Sequence, residues 1–448
     1  MIMMLAVITT AVALTWIIPS GAYQRTAKDL VIPGTFHVIP KDYSSALSFG
    51  EAPTGYAKPA SPLAIVTSIP AGMVRQAPLI FMILFVGGMF GVLQQSGALT
   101  AGIGRLMSIT RGDARIVVPI VMIALAAGST FLGLISEYLV LIPIAVVLAE
   151  QLGYDALFGT AMVTIAAKIG YLTSVTNPLA LVVAQPIVGV PVFSGAVFRA
   201  VTFVIFLPLG IWFLFRATGR RPPPATGVLA QTAELMSRRH ASTLFVLLGA
   251  IVLMVVGVQR FSWGNPELSA MYLGVAIVLA IVAGLGAREG AQAFLRGMQA
   301  MMLAAILVGL AAAVEVVLRQ GMVLDTIVAG LTRTVEGRPP VVVAILMMFV
   351  QMIIDVFIPS TSGKAAITMP ILGPIGHLAG VSGQVTVQAF LFGNGLMNTL
   401  TPTSGMLLAY LAAGGVSYGR WIRFIAPLAI ALVILCAIAL VIGVAIGL

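Results

Sequence analysis

The chain has 448 residues, of which 60% are hydrophobic and 8% are charged. A soluble domain carries roughly 25% charged residues, so this composition excludes a monomer that lives in water. The net charge of +10 does not describe a nucleic-acid surface. The basic residues fall in short segments between apolar runs rather than on one face of a soluble domain.

Other classes are excluded by what the sequence lacks. Cys436 is alone, so neither an intramolecular disulfide nor a thiolate metal site can form. His37, His240 and His377 are far apart in sequence. No P-loop and no HExxH pair occurs, so neither ATP use nor metalloprotease chemistry is expected. No nucleophile–base or metal constellation is present, so the chain is not expected to be an enzyme or to need a cofactor.

In chain order, Met1 to Ile18 is apolar, with no basic lead and no A-x-A cleavage pattern, and reads as the first span. Residues 19–75 hold Pro33, Pro40, Pro53, Pro59 and Pro62 with mixed charges. They read as an extramembrane loop, in which 31–40 is either a short hairpin or irregular. A span needs about 20 mainly apolar residues. That places further spans at 76–96, 156–186, 195–216, 241–258, 269–285, 297–318, 385–412 and 421–446. Residues 97–110 and 322–334 read as amphipathic interfacial helices. The apolar regions 115–151 and 340–379 are too long for one span, and small and polar residues break each near its middle. Both are predicted to be re-entrant helical hairpins.

Short basic loops face the cytoplasm. Arg216, Arg220, Arg221, Arg238 and Arg239 form the densest basic cluster. Counting spans from it also puts Arg105, Arg111, Arg115, Arg288, Arg296, Arg420 and Arg423 inside, and the 19–75 loop outside. The N-terminus is then cytoplasmic and the C-terminus outside, in the cell inner membrane. The first hairpin opens to the cytoplasm and the second to the exterior.

The chain repeats itself. Pro143 and Pro370 sit in similar contexts (IPI and MPI), with an offset of 370 − 143 = 227. Thr173 to Pro178 matches Thr399 to Ser404, and Val188 to Val190 matches Gly414 to Val416. The predicted fold class is an all-α polytopic membrane protein of two inverted repeats, each with a re-entrant hairpin and a broken transmembrane helix. The division is 1–216 for the first repeat, 217–240 for a cytoplasmic linker and 241–448 for the second repeat. Inverted repeats are one layout of secondary transporters.

Broken backbone at membrane depth occurs only inside protein or beside a water-filled cavity. Four such breaks appear: 133–138, 173–178, 359–364 and 399–405. Proline and glycine unwind a helix there, while Ser, Thr and Asn cap the new ends. Exposed half-helix N-termini suit a carboxylate, and freed carbonyls and hydroxyls suit Na⁺. Charged residues inside spans are rare and point to function. Glu137 is positioned to meet a substrate amine, carry a coupling proton or pair with a basic residue. Lys168 and Lys364 could each hold a substrate carboxylate or neutralise Glu137 or Asp355, which makes Lys168 and Asp355 a candidate charge relay. Glu315, near a span end, reads as structural or solvated.

With these motifs stated, the chain resembles the YfcC family, relatives of the anaerobic C4-dicarboxylate carriers in the ion transporter superfamily. The resemblance runs from Leu14–Tyr23 to Tyr418–Trp421. It is carried best by Gly87–Leu93, Thr176-Asn177-Pro178, Ser362–Pro370 and Thr401–Gly405. It implies a two-repeat carrier, often dimeric, with a scaffold and a moving transport domain. Family substrates include dicarboxylates and amino acids. Carried onto this sequence, the substrate and ion site comprises Ser136, Glu137, Thr176, Asn177, Ser360, Thr361, Ser362, Gly363, Thr401, Thr403 and Ser404. The reading from the residues themselves adds Lys364 and Asn398.

The function expected from the sequence is secondary active transport of a small carboxylate-bearing metabolite by alternating access. The candidates are an amino acid, a peptide or a C4-dicarboxylate. Transport is coupled to Na⁺ or H⁺, or runs by exchange. Partners are the substrate, the bilayer and a second copy in a homodimer. The alternative from another class is an ion channel with re-entrant pore loops.

Overall fold

The computed structural model describes residues 2–27, 30–44, 53–110, 113–218, 237–261 and 263–448. Arg111, Arg220, Arg221 and most of the 217–240 linker lie outside the described residues.

The chain opens with α1 (Ile2–Ile17), followed by a short antiparallel pair, β1 (Ser20–Ala22) and β2 (His37–Ile39). Next come α2 (Ala64–Arg75), α3 (Ala77–Gln95) and α4 (Ala98–Thr110). A helical hairpin of α5 (Ala114–Leu132), a 3₁₀ turn (Ser136–Val140) and α6 (Leu141–Gln151) precedes α7 (Ala156–Thr173), α8 (Pro178–Ile187) and α9 (Ala196–Ala217). Beyond the linker lie α10 (Arg238–Phe261), α11 (Asn265–Ala283), α12 (Ala287–Gln320) and α13 (Leu324–Arg333). A second hairpin, α14 (Pro340–Phe357) and α15 (Thr361–Leu378), leads to α16 (Gly383–Met397), α17 (Gly405–Ala413) and α18 (Tyr418–Ala445).

The described residues hold eight helices long and apolar enough to cross a membrane. The first arm of each hairpin, α5 and α14, is among them. The fold is therefore the all-α, multi-pass one expected. The two broken helices are also present, as α7–α8 and α16–α17. Their start signals recur at one spacing. Asp155 caps α7 and Ser382 caps α16, 382 − 155 = 227 apart. Asn177 caps α8 and Ser404 caps α17, 404 − 177 = 227 apart. Each cap accepts a hydrogen bond from a backbone N–H that the first helical turn leaves unpaired.

The last part of the predicted 19–75 loop is helical. Residues 64–75 form α2, which packs on α12. Gly72 allows this, because a Cβ there would lie 2.5 Å from Gly309 O. Glu315 is structural, as expected. It is buried and paired at 2.8 Å with both Arg75 and Arg319, which fastens α2 to α12. Residues 31–40 are not a hairpin by themselves: they hold β2, whose partner strand β1 lies at Ser20–Ala22.

Side chains and backbone fasten the loop to its neighbours. Lys41 Nζ donates to the carbonyls of Thr15 and Ile18, which ends α1. Burial lowers its pKa below the usual lysine value. Arg25 pairs with Asp325 at 3.0 Å, and Ser20 Oγ donates to Gly321 O at 2.6 Å. Val31 N–H donates to Ala366 O at 3.3 Å, inside α15. That carbonyl is free because its helical partner would be Pro370, which has no N–H.

The long helix α12 rises about 51 Å, more than a bilayer core requires. It packs on α1, α2, α3 and α17. The α3–α12 seam is a glycine contact: a Cβ on Gly297 would lie 2.0 Å from Gly87 O, and one on Gly91 2.3 Å from Ala293 O. Gly274 has open space around it. Overpacking a filled interface costs typically 1–3 kcal/mol. Gly297→Leu should therefore destabilise the fold by at least that much, seen as a lower unfolding midpoint in detergent, while Gly274→Ala should not lower the midpoint.

Candidate substrate site

The site is built around the end of α16. Two asparagines, Asn394 and Asn398, stand one helical turn apart there. Asn394 Nδ2 donates to Thr361 Oγ1 at 3.1 Å and to Tyr171 OH at 2.5 Å. Thr361 is the first residue of α15, and it also hydrogen-bonds Tyr171 OH. Asn398 Oδ1 accepts from Ser404 Oγ, the cap of α17, at 3.0 Å. The N-termini of α15 and α17 thus converge on the C-terminal end of α16. Both helix starts follow from the same local chemistry. Ser360 Oγ accepts from Gly363 N, and Ser404 Oγ accepts from Leu407 N.

Below this junction lies a dry ion pair. Lys364 Nζ donates to Asp355 Oδ1 at 2.6 Å, and both side chains are 0% exposed. Asn398 Nδ2 donates to Asp355 Oδ2 at 3.1 Å. Lys364 Nζ also reaches Gln351 O at 3.5 Å and stands 5.5 Å from the centre of the Phe390 ring. Lys168 on α7 is buried and lies within range of the Asp355 charge. The sequence left open whether the lysines serve Glu137 or Asp355. The structure gives Lys364 to Asp355.

Glu137 belongs to a second centre at the first hairpin. It is 7% exposed and accepts from Ile135 N–H at 2.8 Å. Among the described residues it makes no ion pair, so the reading of Glu137 as partner to an intramembrane base does not hold. Tyr410 on α17 donates to Ile135 O, and Tyr272 on α11 lies within range of the Glu137 charge. Glu137 and Lys364 are 364 − 137 = 227 apart, the spacing of Pro143 and Pro370. Corresponding places in the two hairpins carry opposite charge.

The remaining predicted residues divide. Thr403 Oγ1 donates to Val356 O at 2.8 Å and pairs with Thr401 Oγ1 at 2.7 Å, closing the second break. Ser360 and Ser362 are exposed at the second tip, with Gly363 beside them. Asn177 caps α8 and lies against Gly133 of the first tip. Thr176 Oγ1 donates to Phe131 O, and Ser136 is half-buried beside Glu137. The sequence reading missed Tyr171, Asn394 and Tyr410. It also missed Arg199, a buried cation in the first turn of α9.

A family model described as the C4-dicarboxylate anaerobic carrier matches residues 1–445. The chain belongs to that family. Among curated relatives, it is 31% identical over 369 residues to the "Putative basic amino acid antiporter YfcC" of Escherichia coli strain K12, covering 77% of this chain and 73% of the relative. It is 26% identical over 489 residues to a Haemophilus influenzae protein described as uncharacterized, covering 98% and 95%. Two solved transporters align along nearly the whole chain. YdaH of Alcanivorax borkumensis gives 17% identity and a TM-score of 0.43, covering 100% of this chain and 98% of YdaH. MtrF of Neisseria gonorrhoeae gives 16% and 0.45, covering 98% and 93%. Family membership makes this chain a multi-pass membrane transporter.

Removing one partner of a buried ion pair typically costs 3–5 kcal/mol, because the other charge is left without compensation. Lys364→Ala should therefore lower stability in detergent by that order. The double variant Asp355→Asn, Lys364→Met should recover most of the loss, as read by unfolding midpoints.

Proposed function

We propose that the chain is a secondary active carrier of the inner membrane. It moves a carboxylate-bearing metabolite by alternating access between two inverted halves, with its N-terminus in the cytoplasm and its C-terminus outside. The observation that carries the substrate class is the meeting of the α15 and α17 N-termini at Asn394 and Asn398. Helix N-termini present unpaired N–H groups and partial positive charge, which suit a carboxylate. Ser360 and Ser362 at the exposed tip supply further donors.

Glu137 supports an amino acid over a dicarboxylate. Ser404, at the carboxylate pole, and Tyr410, whose hydroxyl donates to Ile135 O of the first tip, are six residues apart, a rise of about 9 Å along α17. A long amino acid with a cationic far end spans such a distance, whereas a C4-dicarboxylate, its carboxylates three C–C bonds apart, is too short to reach Glu137 and would present it with a second anion if it could. The name of the Escherichia coli relative, a putative basic amino acid antiporter, agrees with this choice. The second reading, a C4-dicarboxylate substrate, is favoured by the description of the family model. A homodimer is the proposed assembly.

Uptake into proteoliposomes of labelled arginine, glutamate, succinate and short dipeptides tests the proposal. Saturable arginine uptake, lowered at least about tenfold by Glu137→Gln, is expected; a loss that size is about 1.4 kcal/mol of transition-state binding. Saturable succinate uptake indifferent to Glu137→Gln would assign the dicarboxylate instead. No uptake of any member by folded protein would remove these substrate classes.

A further inference from the structure

Helices α11 and α12 both pack on α3, and they face each other across a groove of about 590 Å³. Every residue that lines it is apolar. Ile277 and Ile281 of α11 form one wall, Ala291 and Leu295 of α12 the other, and Val92 of α3 the floor. Ile277 is 56% exposed and Ile281 70%, so among the described residues nothing covers the groove. From Leu273 to Ile281 the wall rises about 12 Å, close to one leaflet of a hydrocarbon core about 30 Å thick.

One end of the groove is basic. Leu285 and Ala287, at the α11–α12 turn, line that end. Gly284 ends α11 in the left-handed conformation, and a Cβ there would lie 3.2 Å from Arg239 Nη1 and 3.6 Å from Arg239 Cζ. The guanidinium of Arg239, from the first turn of α10, therefore rests against the turn. Arg288 follows Ala287 and is exposed. Among the described residues neither arginine has an ion-pair partner. The adjacent acid, Glu289, accepts instead from Gln95 Nε2 of α3 at 3.1 Å.

Guanidinium groups take phosphate through paired, charge-assisted hydrogen bonds. Basic pockets between spans accordingly hold anionic lipid headgroups. A neutral lipid would fill the groove but leave both arginines unmatched. We propose that the groove is a specific site for an anionic phospholipid, with its phosphate at Arg239 and Arg288 and one acyl chain along α11 and α12. The lipid belongs to the leaflet on the side of the α11–α12 turn, and it fastens α11 to α12 away from the proposed substrate site. The proposal does not depend on the carrier reading above.

The test is the unfolding midpoint of the purified full chain in detergent, titrated with dioleoyl phosphatidylglycerol and, in parallel, with dioleoyl phosphatidylcholine. A ligand that binds only the folded state raises the midpoint saturably. A saturable rise is expected with phosphatidylglycerol and not with phosphatidylcholine. The double variant Arg239→Gln, Arg288→Gln should weaken the apparent affinity at least about tenfold, through the charge-assisted hydrogen bonds it removes. Ala291→Trp fills the groove, keeps both arginines and changes an exposed position, and it should weaken binding as well. Equal rises with the two lipids, or a phosphatidylglycerol rise that either folded variant keeps, would overturn the proposal. So would an equal rise with glycerol phosphate, which has no chains. If Ala291→Trp instead converts a dimer to a monomer and leaves the lipid response intact, the groove is an interface between copies and the proposal is wrong. If the double variant does not fold, the lipid comparison and Ala291→Trp decide.

Discussion

A backbone group freed at membrane depth must find its partner inside the protein, and much of this structure answers that requirement. Arg199 and Trp421 reach back to the broken helices, Asn177 and Ser404 cap their restarts, and Thr403 takes Val356 O. Each break therefore ends in a set of satisfied groups rather than a defect. The ends left pointing inward are the helix N-termini of α15 and α17, where the substrate proposal is built.

The breaks were legible in the sequence because their chemistry is local. Proline, glycine and short polar side chains within six residues announce both an unwinding and a new cap. The recurrence of helix starts was legible for the same reason, since Asn177 and Ser404 do the same work 227 residues apart. Helix α2 was hidden among prolines and small residues that also make loops. Its packing uses the close approach of Gly72 to α12, a long-range contact that no local pattern announces. The partners of the site were hidden by distance along the chain. Tyr171 meets Thr361 and Asn394, and Tyr410 meets Ile135, across separations of 190, 223 and 275 positions. No local spacing encodes those meetings. The choice of Asp355 over Glu137 by Lys364 was open for the same reason.

The two hairpins share a plan and differ in charge. Glu137 accepts a hydrogen bond from its own tip and carries no ion pair among the described residues, whereas Lys364 is locked to an acid on its own hairpin. An uncompensated acid in a dry place is a demanding arrangement, and a neutral pair is a stable one. The halves are therefore not interchangeable. One tip carries an acid without an ion pair among the described residues, and the other carries a base paired within its own hairpin.

The hydrogen bond from Val31 to Ala366 ties a segment outside the helical body to the middle of α15. Pro370 makes the tie available by leaving that carbonyl without its helical donor. In kinetic terms, α15 cannot shift relative to the loop without either carrying it along or first losing this bond. The loop is also held by Gly321, the cap that ends α12, and by Asp325 in the first turn of α13. A reporter group on the exposed turn at Gly34 would thus register whether the second hairpin moves with the long helix or against it.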